Sequence, residues 1–166
     1  MPSPRYALIL LVWLAVSVHA TAQPLRDVKV RNWAEDYFAR YAARDDWPGF
    51  VELYSEDLVF EDPLANMALI SREEFKAFYH WPDPSFSKHP DHPETLVLED
   101  LIVQGNLTIG SGYFTPFKYQ GFTYAEDEPM RFTIWLTWND QGKIIKQVDW
   151  IDYPDELLQA MHCRTP

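Results

Sequence analysis

Leu53-Tyr54-Ser55-Glu56-Asp57-Leu58-Val59-Phe60-Glu61-Asp62-Pro63 decides the reading of this chain. The stretch leaves an aromatic-rich helical segment, turns apolar over 58–61 as a short strand does, and stops at a proline, which cannot donate to a sheet ladder. Asp62 is therefore held between an apolar strand and a fixed backbone. A carboxylate so placed has two uses. It can cap the turn that Pro63 enforces, accepting from nearby amides. Alternatively it loses solvent, rises in pKa and becomes a general base. The residues leave both readings open.

Upstream, Val30, Trp33, Ala34, Tyr37, Phe38, Tyr41 and Ala42 recur every three or four residues, which predicts a helix over 27–44 with one broad apolar face. A second, short helix is expected over 48–54, with Pro48 in the tolerated first turn. Downstream, Ser71-Arg72-Glu73-Glu74 has the form of a capping box. It opens a third helix carrying Phe75, Phe78, Tyr79 and Trp81, and Pro82 is expected to end it.

After a proline- and histidine-rich loop over 81–94 the period changes to two. Strands are expected over 95–104, 107–119, 129–138 and 143–153, with Asn139-Asp140-Gln141-Gly142 as the turn of a hairpin. A short helix from Pro154, with Leu157, Leu158 and Met161, ends the chain. Helices followed by a run of strands is an α+β order. The expected fold is a cone: three N-terminal helices packed on a curved, mainly antiparallel sheet, open at one mouth.

The N-terminus reads as a leader. Arg5 precedes an apolar run over 7–18, too short to span a bilayer comfortably, and Ala20-Thr21-Ala22 fits a peptidase site. Residues 1–22 are thus expected to be removed, leaving one domain over 23–166 that is exported, periplasmic or secreted, with no membrane attachment after cleavage. The chain carries 25 acidic against 14 basic side chains, a net charge of −11, which repels nucleic acid and anionic lipid. Its single cysteine, Cys163, cannot staple its own chain, so stability must come from packing. His80, Asp83, His89, Asp91 and His92 match no established metal spacing, so no metal is expected there. Asn106-Leu107-Thr108 fits a glycosylation sequon, whose use depends on the host.

The 53–63 stretch, Ser71-Arg72-Glu73-Glu74-Phe75 and the 142–153 segment, Gly142 to Tyr153, together resemble the NTF2-like superfamily. Within it they are most similar to SnoaL-like and ketosteroid-isomerase-like proteins. The resemblance covers about 30–153. It implies the cone fold and says little about reaction, since this fold hosts isomerases, dehydratases, cyclases, hydrolases and binders. It implies no cofactor. The base of ketosteroid isomerases, the Asp of a strand-end Asp-Pro pair, falls on Asp62. Their first-helix tyrosine falls on Tyr37 or its neighbour. Their second oxyanion donor, a protonated Asp on the penultimate strand, falls on Ile134, a departure that argues against steroid isomerisation itself.

The same registration puts Ile145, Gln147, Asp149 and Ile151 on the concave face of the last strand, and Phe132, Ile134, Leu136 and Trp138 on that of its neighbour. Ile144, Val148 and Trp150 then face outward with Trp135, and this convex face is expected to form a homodimer. Tyr37, Asp62, Gln147 and Asp149 are expected to point into one cavity lined by Trp33, Phe60, Phe132, Ile134, Leu136 and Ile151. Its ligand would be a small hydrophobic molecule. Three functions fit: an isomerase, dehydratase or cyclase working by acid–base chemistry with Asp62 as base, a binding module without turnover, or a structural dimer.

Overall fold

The computed structural model describes residues 4–162, with side chains over 24–159. Two helices lead, α1 (Pro4–Ala43) and α2 (Trp47–Val51), followed by β1 (Tyr54–Asp62) and β2 (Met67–Leu69). Then come α3 (Arg72–Tyr79), β3 (Ser87–Lys88), β4 (Leu96–Gln104), β5 (Leu107–Phe114), β6 (Phe117–Tyr119) and β7 (Phe122–Tyr124). The chain closes with β8 (Met130–Trp138), β9 (Ile144–Ile151) and α4 (Asp155–His162). The main sheet has the order β2-β1-β9-β8-β5-β4, and β3-β6-β7 form a small second sheet. Every pairing is antiparallel except β1 on β9. The result is the expected α+β architecture, a large curved mixed sheet with helices on its concave side.

Local chemistry explains the elements. Asp46 caps α2, accepting from Gly49 N at 3.0 Å, with Pro48 in the first turn. Ser71 caps α3, accepting from Glu74 N at 3.2 Å, while the Glu74 carboxylate reaches one residue further back, to Ile70 N at 2.8 Å. The third helix follows β1, as expected, with the short β2 between them, and it stops at Tyr79, before Trp81. The strand expected over 107–119 breaks at Thr115-Pro116, because proline cannot continue the ladder, and its second half joins the small sheet. The three-residue strands β2 and β7 and the two-residue β3 are too short to carry a readable period.

One face assignment is corrected. Ile144 was expected outward and is fully buried, whereas Ile145 is only half-buried. The β8–β9 register slips between Thr137 and Trp138, so that Trp138 pairs with Ile144 while Thr137 pairs with Lys146. The extra residue is a bulge, which reverses the side-chain alternation on its far side. Beyond it Gln147, Asp149 and Ile151 face the core.

α1 lies across β4 and β5. Its packing against the sheet depends on Gly110, where a side-chain carbon would stand 2.2 Å from the Phe38 ring. Leu25 and Val28 are exposed and the packed face begins at Val30. The segment 1–22 read as a leader continues as α1 from Pro4, and its side chains lie outside the described residues, as does Cys163. No helix among the described residues is long and apolar enough to cross a membrane. The core between helices and sheet is mostly aromatic. Phe50 stacks on Trp81 with centroids 4.1 Å apart, Tyr54 meets Phe75 at 4.4 Å, and Phe75 stacks on Tyr79 at 4.7 Å. On the opposite face Trp135 and Trp150 form an outward pair, 41% and 45% exposed.

Candidate active site

Gln147 and Asp149 are the two polar side chains of β9 that face the core, and both are fully buried. In register Gln147 lies between Phe60 of β1 and Leu136 of β8, and Asp149 lies across from Ile134. The neighbouring strands therefore offer these groups apolar side chains only. A buried polar group without partners costs free energy, so the bonds must come from residues other than these cross-strand neighbours.

Tyrosines supply them. Tyr54 donates to Gln147 Oε1 at 2.8 Å, and Tyr37 makes a longer contact to the same oxygen at 3.4 Å. The Gln147 amide nitrogen donates to Asp149 Oδ1 at 2.7 Å. Tyr79, the last residue of α3, donates to Asp149 Oδ2 at 2.9 Å, and its hydroxyl lies 2.9 Å from that of Tyr41. Tyr37 and Tyr41 stand one helical turn apart on the same face of α1. Asp62, at the end of β1, belongs to the inward series Leu58, Phe60, Asp62 and is fully buried as well. It accepts from Ala65 N at 3.0 Å and from the Tyr153 hydroxyl at 2.5 Å. Asp62 thus caps the turn after Pro63 with one oxygen and meets a tyrosine with the other.

Burial dominates the acid–base behaviour. Asp149 is pushed up to about 7: desolvation is the main cause and the charge of Asp62 adds to it, against the opposing bonds from Gln147 and Tyr79. Asp62 is raised by burial too, and the bonds from Tyr153, Ala65 and Leu64 oppose the rise. Tyr37, Tyr41, Tyr54, Tyr79 and Tyr153 are all raised, chiefly by burial, so each keeps its proton at neutral pH.

The carboxylates do not open directly onto space. A cavity of about 130 Å³ lies at the mouth of the cone, walled by Tyr41, Tyr79 and Tyr153 on the polar side and by Phe114, Phe117, Met130, Ile151 and Leu157 on the apolar side. Arg44, His80 and Asp83 complete its rim. Of the residues named from sequence, Ile151 lines this cavity. Asp62 and Asp149 sit one hydroxyl behind its wall, with Gln147 and Tyr37 deeper still. Phe60, Ile134 and Leu136 are fully buried core. Phe132 is buried and also borders an outer cleft beside Trp150, while Trp33 borders a separate cleft with Arg26 and Lys29. Trp33 is half-buried against Trp138, at 5.9 Å between centroids, and lies away from the tyrosines. Sequence reasoning did not single out Tyr41, Tyr54, Tyr79, Tyr153 and Arg44 for the site. Tyr41 carried a signal, its four-residue spacing from Tyr37. Among the described residues no group of three His, Cys, Asp or Glu side chains is placed to hold a metal ion.

The chain belongs to the SnoaL-like domain family, which matches residues 34–147. No curated protein matches it. Solved structures share the fold at low identity. A candidate SnoaL-like polyketide cyclase from Shewanella putrefaciens is 16% identical, with a TM-score of 0.61, over 82% of this chain and 98% of that one. A candidate ketosteroid isomerase from Kribbella flavida is 19% identical, with a TM-score of 0.56, over 77% and 81%. An LEH-like epoxide hydrolase from M. tuberculosis is 10% identical, with a TM-score of 0.59, over 76% and 84%. Identities this low carry the fold and not the reaction.

The raised pKa of Asp149 has a consequence for stability. The folded protein holds the proton more tightly than the unfolded chain, so the folded state binds more protons between about 4 and about 7. Stability therefore falls as pH rises through that window. Asp149→Asn removes this contribution. Urea unfolding should show wild type losing a few kcal/mol between pH 4 and pH 8 that the variant does not lose, on the scale of about 1.4 kcal/mol per pKa unit. Equal slopes in the two proteins would contradict the assignment.

Proposed function

We propose that this SnoaL-like domain acts outside the cytoplasm, after removal of its leader, as an acid–base enzyme on a small ring-bearing carbonyl compound, in an isomerase-, dehydratase- or cyclase-type reaction. The observation that carries the reading is the pair of buried carboxylates, each joined to the cavity by a tyrosine hydroxyl. Such chemistry needs one group that gives a proton and one that takes it, and unequal environments separate the roles.

Asp62 takes the part of the base. Its amide and tyrosine bonds favour the ionised form. A proton leaving the carbon beside the ligand's carbonyl passes to the Tyr153 oxygen as the tyrosine's own proton moves to Asp62 Oδ2. Asp149, near half-protonated at neutral pH, takes the part of the acid. Its proton moves to the Tyr79 oxygen as the Tyr79 proton moves to the ligand's carbonyl oxygen, giving an enol. The negative charge passes from Asp62 to Asp149, where the Gln147 amide donates to it, and each tyrosine ends neutral. Ile134 stands where ketosteroid isomerases place a protonated Asp, and Asp149 pairs directly with it across the β8–β9 ladder. The acid is thus supplied from the neighbouring strand.

A second reading, a binding module without turnover, draws on the fact that both carboxylates are fully covered. One experiment separates the two. Deuterium exchange at the α-carbon of single-ring ketones and oxo acids in D₂O, followed by proton NMR, should fall by about 10²–10⁴-fold in Asp62→Asn while ligand affinity holds. A fall of less than about threefold, or no exchange by wild type across the panel, favours the binder.

The proposal extends to assembly and to export. Trp135 and Trp150, with half-buried Val148, form an outward apolar patch that a homodimer through the convex sheet face would cover. Analytical ultracentrifugation should give a dimer at tens of micromolar (on the order of a standard-size interface) and a monomer for Trp135→Glu with Trp150→Glu. A monomeric wild type would reject the interface. Export predicts an N-terminus near Gln23 on protein recovered from its host, and an intact 1–22 segment would contradict it.

A further inference from the structure

Arg44 is the cation of the cavity wall. It follows the last residue of α1 with φ of 45°, a left-handed conformation usually left to Gly or Asn at this position. Its N–H donates to Arg40 O at 2.9 Å, closing the helix, and Lys88 Nζ caps the neighbouring Ala43 carbonyl. The side chain then lies flat against aromatic rings. The guanidinium carbon stands 3.7 Å from the centroid of Phe86 and 5.4 Å from that of Trp81. Stacking uses the guanidinium face and leaves its edge for hydrogen bonds.

That edge is under-used. Arg44 Nε is buried and has no hydrogen-bond partner among the described residues, and no carboxylate among them forms an ion pair with the guanidinium. Asp83 shares the cavity rim and its charge acts on Arg44 without forming an ion pair, while its Oδ1 accepts from Ser85 N at 2.8 Å and from Ser85 Oγ at 2.7 Å. Arg44 is half-buried, and its one covered, unpaired N–H is costly to leave without an acceptor. Burial pushes the Arg44 pKa down, the direction expected of a desolvated charge, while the guanidinium stays protonated.

We infer that Arg44 is the anchor for a carboxylate on the ligand, and that the substrate of the proposed reaction is a small ring-bearing oxo acid. The geometry divides the molecule among three walls. The carboxylate meets the guanidinium edge, for which a planar fork is the natural partner. The ring packs against Phe114, Phe117 and Met130. The carbonyl reaches the hydroxyls of Tyr79 and Tyr153. A cavity of about 130 Å³ suits one ring, being close to the roughly 150 Å³ that accommodates benzene in an engineered protein cavity. The inference rests on the acid–base reading for the word substrate, and on Arg44 alone for the carboxylate.

The test uses phenylacetate and its neutral counterpart phenylacetamide, titrated into the full domain and followed by NMR shifts of the cavity residues. Wild type should bind phenylacetate at least about tenfold more tightly than the amide, as expected for a charge-assisted pair. Arg44→Gln should weaken phenylacetate at least about tenfold, to the level of the amide, and Arg44→Lys should keep part of the preference. Equal binding of acid and amide by wild type overturns the inference without recourse to any variant. So does an unchanged preference in folded Arg44→Gln, or no saturable binding of phenylacetate. Because binding is read without turnover, these outcomes are distinct from a failure of the acid–base reading. That failure would appear as intact phenylacetate binding beside absent α-carbon exchange.

Discussion

The site depends on one constraint: Gln147 and Asp149 occupy the apolar concave face of the sheet, where the flanking strands present Phe60, Leu136 and Ile134. Those cross-strand neighbours cannot satisfy them. Donors come from the start of β1, which brings Tyr54, and from the helices, which bring Tyr37, Tyr79 and Tyr41, and the rings of all four also fill the core. Ring and hydroxyl do different work in the same residue. The ring buries area between helices and sheet, and the hydroxyl removes the cost of a buried polar group. The polar network and the aromatic core are therefore one construction, and a change to either disturbs both.

Function inherits from that arrangement. A carboxylate exposed in a cleft keeps its ordinary acidity, whereas one covered by aromatic side chains does not. Covering also blocks direct contact with a ligand, and a tyrosine hydroxyl restores it, because one oxygen can accept a proton while its own proton leaves. In the proposed reaction, the cavity side of Tyr79 and Tyr153 is where the buried charges become chemically available. Arg44 adds a cation at the rim, so the wall sets a charge, hydroxyls and apolar side chains around one small volume.

Much of this was legible in the sequence. The apolar face of α1, the capping box of α3, the Asn139–Gly142 turn and the long alternating strands each carry a local pattern, and together they specify the fold. Asp62 was legible from its strand-end place before Pro63, and Gln147 and Asp149 as inward polar residues from the family registration, which alternation carries along the strand. Alternation fails at a bulge, which is why Ile144 faces the core against expectation. It also cannot say what stands between a side chain and solvent. Asp62 is covered by Tyr153, ninety-one positions away in sequence, and Asp149 by Tyr79, seventy positions away. Those pairings depend on how α3 and the end of β9 close over the sheet, a tertiary fact without a sequence period. Trp33 shows the reverse case: it lies on the apolar helix face, but it packs on Trp138 beside a separate cleft and does not line the cavity.

The central claim is that Asp149 is a buried, tyrosine-gated carboxyl poised near neutrality. Carbon-13 NMR of the Asp149 carboxyl across a pH titration, in wild type and in Tyr79→Phe, tests it most directly. The account predicts a midpoint near 7 in wild type and a higher one in Tyr79→Phe, since that bond favours the ionised form. A wild-type midpoint near the ordinary value of 3.8, unmoved by Tyr79→Phe, would contradict it.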